Sequence, residues 1–504
     1  MHRRLTALHL VAAVAALVAV TPLIYLIVRT GSAGWENVWE ILARPRTLQL
    51  SVASLGLATA VAGTCIAVGV PLAWLLTRTA LPGGRLWLVV AALPLAVPSY
   101  VAAYTWLAAF PGLQGFVPAW AVLSLVSLPY VVLPVAAVLS QVDPAFDEVA
   151  RTLGDGPLRS FRRTTAPLLW PAAAAGGLLT ALYTLSDFGA VSLLRFDTFT
   201  RVIYTSYRAA FDRTSAAVLS LVLVALALVF VLLERAMRGR HQQWRVGAGA
   251  ARRAERIPLG PWRWPALLGV VALFGLAVAF PSVMLVRLML QSQRFEADPQ
   301  AWLTATANTV QAAGVGALVA LLLALPIGVL AARHKDRVTK TVESAAFISH
   351  ALPGVVVGLS LVYLGLSLAP ALYQTLAMLG FAYAVLFLSN AIGSIRSATA
   401  QVSRNLEDVA RTLGDRPTAT WWRVTARLSA PGILAGALLV LVTAMKELPA
   451  TLMLRPTGFE TLATEMWTFT TVGSFSQAAP YAFGLVLLAA IPAFVLARLT
   501  GRRS

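Results

Sequence analysis

The sequence predicts an all-α integral membrane protein of about twelve transmembrane helices, arranged as two homologous six-helix halves. Three observations carry this. The 504 residues are 58% hydrophobic and only 12% charged, whereas a soluble domain sits near 45–50% apolar and about 25% charged. Twelve segments are long and apolar enough to cross a bilayer, which takes roughly 20 residues each. The third is a heptapeptide, VARTLGD, that occurs twice, at 149–155 and at 409–415, each time in a polar island between apolar runs.

The expected spans of the first half are about 5–28, 49–76, 87–111, 114–140, 168–190 and 214–233. Those of the second half are about 264–289, 304–332, 343–368, 371–393, 428–452 and 478–497. The first span follows MHRR, is long for a cleaved leader and lacks a clear small-residue cleavage site, so it is expected to be retained. Between the halves, residues 235–263 form a basic Gly/Ala-containing linker, read as a tether and topology anchor, with lipid-headgroup contact as the alternative. The domain expectation is therefore 1–234, a linker at 235–263, and 264–504.

The chain is strongly basic, with 40 Lys and Arg against 21 Asp and Glu. With the N-terminus inside and strict alternation, 29 of the 40 cations fall on the inner side and the net charge divides as +18 inside and +1 outside. The positive-inside rule explains that bias. Nucleic-acid binding is not needed to explain the basicity. A single cysteine, Cys65, excludes an intrachain disulfide, and five scattered His residues give no metal-ligand spacing.

The repeat extends beyond the heptapeptide. At an offset of 260 residues, Pro157 meets Pro417, Arg163 meets Arg423, Gly176 meets Gly436, Asp187 meets Glu447 and Arg195 meets Arg455. Upstream the offset is 255, pairing Pro71 with Pro326 in PLAWLLTR and PIGVLAAR, and Pro98 with Pro353. Six crossings per half give both repeats the same orientation, the arrangement in which parallel repeats enclose a path between them. Each VARTLGD copy falls in the loop between the fourth and fifth spans of its half, about 143–167 and 403–427. Asp143-Pro144 reads as a helix start, Gly154 as a left-handed stop, and Asp155-Gly-Pro157 as a turn into a second short helix. Small residues at Ala150 and Gly154 are expected to let another surface approach. A loop better matched between halves than most spans are points to a shared partner surface, against the alternative of two ordinary loops.

These loops are where the chain resembles a known family. E-x-A-x-x-x-G, present as Glu148, Ala150 and Gly154 with Pro167 nineteen residues after the Glu, resembles the EAA loop of bacterial ABC-importer membrane subunits. The second copy keeps Ala410 and Gly414 but has Asp408 for the Glu and Arg427 for the Pro. LPLAVPSYVAAYTW at 93–106, LSDFGAVSLLRFDTFTRVIY at 185–204 and MKELPATLMLRPTGFETLA at 445–463 look like the fused, double-length permeases of ferric-iron importers, with thiamine permeases as similar relatives. The resemblance implies a type I importer permease fold. It also implies two copies of a cytoplasmic ABC ATPase docked on Glu148, Ala150, Gly154, Asp408, Ala410 and Gly414, and a periplasmic or lipid-anchored solute-binding protein. The setting it implies is a bacterial inner membrane, with both termini cytoplasmic. ATP and Mg would be bound by the partner, not by this chain, which carries no G-x-x-x-x-G-K-[ST] loop.

Two readings of other classes fit the sequence less well. A twelve-helix secondary transporter would need a charged motif between spans two and three, where only TRTALPGGR stands, and an integral-membrane enzyme would need a His, Asp or Ser constellation at one depth. For the path itself, Asp187 and Glu447 are candidates, since charges within membrane segments are costly and usually functional. The alternative is that they pair with Arg195 and Arg455. The matched outer segments 195–213 and 455–477 read either as docking surface for the binding protein or as re-entrant or interfacial helices.

Overall fold

A computed structural model describes residues 7–141, 159, 163, 165–208, 212–239, 256–292 and 298–501. Among them there is no sheet. One isolated parallel bridge joins Thr79 to Ile257, so the end of the linker is pinned beside the end of the second span. Among the described residues nine helices are long and apolar enough to cross a membrane: Ala7–Gly31, Pro45–Arg78, Phe116–Ser140, Ala166–Ser186, Arg213–Glu234, Gly260–Leu290, Pro299–Arg333, Leu376–Gln401 and Thr418–Met445. Two bent pairs bring the number to eleven, and the twelfth expected span lies within the helix Phe475–Gly501.

The bent pairs correct the sequence reading, which took spans three and nine as continuous. Leu86–Ala96 and Ser99–Ala109 meet at 90°, and Arg337–Ala351 and Gly354–Ser367 at 103°. The breaks have one cause. Pro98 and Pro353 lack an N–H and force the preceding residue out of the helical region. Val97 accordingly sits at φ −89°, ψ 120° and Leu352 at φ −88°, ψ 113°. Each Pro then precedes the first residue of a new helix.

The described residues form two compact units, one from Met1–Leu42, Ile203–Val224 and Gln291–Ser504, the other from Ala43–Val202 and Ala225–Leu290. These units are not the two sequence halves: each takes the opening span of the other half. In the first unit, the N-terminal helix places Ala12, Ala15, Ala16 and Ala19 in one core with Ala317, Ala320 and Ala324 of Pro299–Arg333. Small residues in register let helix backbones approach closely where lipid supplies no hydrophobic drive. At its end His9 meets Asp336 at 3.3 Å. The Thr339 N–H, and then the His9 ring, hold the Asp336 carboxyl well below the usual carboxylate range. In the second unit, Gly260–Leu290 packs on the first bent span through Trp106 and Phe280, with ring centroids 4.2 Å apart.

The matched segments 195–213 and 455–477 each contain a helix, Phe199–Arg208 and Leu462–Thr471, with buried apolar anchors: Phe199 and Ile203, Leu462 and Met466. Each is tied to the long span of its half by the same device. The Phe199 N–H donates to Ser54 Oγ at 3.1 Å and the Leu462 N–H to Thr309 Oγ1 at 2.9 Å.

Candidate functional site

The second VARTLGD copy lies among the described residues; the first, with Glu148, Ala150 and Gly154, lies outside them. Ser403 caps the helix Arg404–Thr412, accepting from the Asn405 N–H at 3.3 Å. The helix ends in a Schellman motif. The Asp415 N–H donates to the Ala410 carbonyl at 3.1 Å and the Gly414 N–H to that of Arg411 at 3.0 Å. Gly414 is at φ +95°, a conformation that L side chains rarely adopt. A second helical segment restarts at Pro417 and runs through Trp421–Ala426 into the span Arg427–Met445.

The two faces of this short helix differ sharply. Leu406, Val409 and Leu413, spaced three and four apart, form an exposed apolar ridge, with Leu413 82% accessible. Trp422 is exposed beyond the turn. The opposite face is pinned. Glu407 meets Arg333 at 2.5 Å, both side chains only 13% exposed. The Thr425 hydroxyl donates to the same carboxylate at 2.6 Å. Arg333 Nη1 donates to the Val402 carbonyl at 3.0 Å, and Arg404 to the Arg333 carbonyl at 2.5 Å. Leu8, Arg333, Arg404, Glu407, Arg411 and Trp421 line a cleft of about 410 Å³ behind the helix.

This sorts the residues singled out from the sequence. Asp408 is at the surface, 69% exposed and 3.8 Å from Arg411. Ala410 is buried at 9% exposure. Gly414 has open space where a Cβ would project, so its requirement is conformational. Sequence reasoning missed Glu407 and Arg333. A signal was available: Arg78 and Arg333 are equivalent at the 255 offset and close the two quoted strings PLAWLLTR and PIGVLAAR.

Asp187 and Glu447 are both buried, and each sits at the end of a span just before a short helix, Gly189–Leu193 and Pro449–Leu454. Asp187 Oδ1 accepts from the Ala190 N–H at 3.0 Å and the Val191 N–H at 3.3 Å, and Oδ2 from the Ser99 hydroxyl. Glu447 Oε1 accepts from the Ala450 N–H at 3.0 Å. Its Oε2 accepts from the Thr451 N–H at 3.0 Å and the Thr451 hydroxyl at 2.9 Å. The alternative of a Glu447–Arg455 pair gives way to an Arg455–Glu460 ion pair. Arg195 is exposed, with its backbone at φ 52°. Among the described residues no group of three or more His, Cys, Asp or Glu could hold a metal ion.

The family model for a binding-protein-dependent transport system inner membrane component matches this chain twice, over residues 66–241 and 324–503. The Fe(3+)-transport system permease protein FbpB 2 of Haemophilus influenzae is 33% identical over 478 residues, 94% of each chain. The sulfate transport system permease protein CysT of Salmonella typhimurium is 29% identical over 253 residues, 46% of this chain and 91% of that one. The molybdenum transport system permease protein ModB of Mycobacterium tuberculosis is 30% identical over 163 residues, 30% of this chain and 60% of that one. Two matched modules in one polypeptide, together with a relative aligned over 94% of both chains, make this chain a member of the binding-protein-dependent inner membrane transport components: an ABC permease, not an enzyme, in fused double-length form.

Proposed function

We propose that this chain is the pore of an importer that moves ferric iron from an external binding protein into the cytoplasm, driven by ATP hydrolysis on two copies of a partner ATPase. The observation that carries the substrate is the extent of the match. The Fe(3+) permease aligns over 94% of both chains, whereas the sulfate and molybdenum permeases cover less than half of this one. The ridge of Leu406, Val409 and Leu413 supports the ATPase: an exposed apolar stripe on a helix otherwise pinned to its own chain is a surface awaiting a partner. The charge asymmetry supports placing both VARTLGD loops and both termini in the cytoplasm of a bacterial cell with this chain in its inner membrane.

In this reading, closure of the ATPase pair pushes on the two loops. In the second half the Arg333–Glu407 pair passes that push to the span Pro299–Arg333 and Thr425 passes it toward Arg427–Met445, so the helices open outward and hydrolysis resets them. The test is uptake of radiolabelled ferric iron under iron limitation, in cells lacking the gene and in the same cells with it restored. Restored uptake supports iron. Unchanged uptake moves the substrate to thiamine, or to an oxyanion such as those of the sulfate and molybdenum relatives. In restored cells, Gly414→Asp is expected to lower uptake at least tenfold with normal amounts of protein in the membrane, because a non-Gly residue at φ +95° costs about 1–2 kcal/mol and re-aims the turn. Gly414→Asn, better tolerated there, is expected to lose less. Equal uptake in all three proteins would remove the coupling role of the turn.

A further inference from the structure

We propose that Asp187 and Glu447 are latches rather than cargo ligands. Each holds a short helix beneath the bend of a broken span, and each is matched in length to the residue that opens the helix after the bend. Ser99 and Gly354 occupy equivalent positions at the 255 offset, directly after Pro98 and Pro353. In one half the shorter carboxylate, Asp187, is bridged to the bend by the Ser99 hydroxyl while its other oxygen gathers the amides of Ala190 and Val191. In the other half the longer carboxylate, Glu447, fills the space itself. A Cβ on residue 354 would collide with Glu447 Oε1 and lie 2.9 Å from Pro449 Cγ. The two halves have therefore diverged in concert, as Asp with Ser and as Glu with Gly.

The hydrogen bonding argues for a latch. Each carboxylate takes three donors from its own turn and its immediate neighbours, which is what makes a buried charge tolerable. A cation would compete with those donors for the same oxygens. The turn is tied in further ways. The Thr200 hydroxyl donates to the Asp187 carbonyl at 2.5 Å, and Thr451 Oγ1 shares a hydrogen bond with the Tyr383 hydroxyl at 2.6 Å. Irregular backbone at membrane depth persists in transporters where it lines a cavity or is buried in protein. The latches would set the angle of such a break, which makes Asp187 and Glu447 positioning residues.

For its transport readout the inference rests on the permease reading; for its stability readout it does not. The test is a double-mutant cycle on the purified full-length chain in lipid nanodiscs, with the same variants assayed with the partner ATPase for substrate transported per ATP hydrolysed. Gly354→Ser and Glu447→Asp are each expected to lower the unfolding midpoint by several degrees and transport per ATP several-fold. The double variant, which writes the first half's pair into the second, is expected to regain at least half of both losses. Ser99→Gly with Asp187→Glu makes the reciprocal cycle. Additive losses in both cycles would overturn the length matching. Asp187→Asn with an unchanged midpoint and abolished transport would overturn the latch in favour of a cargo ligand. If the wild-type chain transports no iron at all, the substrate assignment fails, and the midpoints still decide the latch.

Discussion

Val409→Asp combined with Leu413→Asp should strip the partner ATPase from the permease while leaving the membrane protein folded. Both side chains are exposed on the ridge, Val409 at 55% within Arg404–Thr412 and Leu413 at 82% just past its end, so their loss costs the fold little. Docked in a partner groove, each would contribute about 1.5–3 kcal/mol by burial. Removing both and burying charge in their place predicts an affinity loss of about 100-fold or more. Co-purification with the tagged ATPase and binding to the permease in nanodiscs measure it directly. Wild-type affinity in the double variant would mean that the ATPase does not use this ridge. A solvated charge beside the ridge makes the contrast: Asp408→Ala, 69% exposed and 3.8 Å from Arg411, is expected to change binding by less than a few-fold.

The contrast between the two faces also marks where the sequence was legible. Spans were readable because bilayer crossing is a property of composition and length, and among the described residues each expected segment is mainly helical. The bends at Pro98 and Pro353 were not read, because averaging apolarity over a window is blind to a break inside it. The equivalence of the two prolines was nevertheless visible. The repeat pairs Asp187 with Glu447, and each carboxylate accepts from the amides three and four residues onward, a local contact that the 260 offset alone does not single out. The exchange of opening spans between the compact units left no trace in the sequence, since the alanines of Ala7–Gly31 that pack with Ala317–Ala324 would suit any small-residue face. Glu407 was overlooked because its partner Arg333 lies 74 residues away and only the fold brings them together.

That ion pair carries the second large prediction. Glu407→Ala leaves the guanidinium of Arg333 in a nearly buried site without its carboxylate, and removes the acceptor of Thr425. Breaking one side of a buried pair costs about 3–5 kcal/mol. With both side chains 13% exposed, the lower end of that range applies, enough to lower the unfolding midpoint measurably and to free the helix Arg404–Thr412 from the end of Pro299–Arg333. Replacing both partners by apolar residues, as in Arg333→Met with Glu407→Leu, should return most of the stability, because it removes the stranded charge along with the pair. It should not return transport. A greasy contact can hold the helix near the span, but it fixes neither the direction nor the register that the fork of Arg333, bonded at once to Glu407 and to the Val402 carbonyl, imposes. A double variant with restored midpoint, intact ATPase binding and hydrolysis that moves little substrate would identify the pair as the joint between docking helix and pore. Full transport by that same variant would show that the joint lies elsewhere, with the Gly414 turn and the helical restart at Pro417 into Arg427–Met445 as the remaining connection.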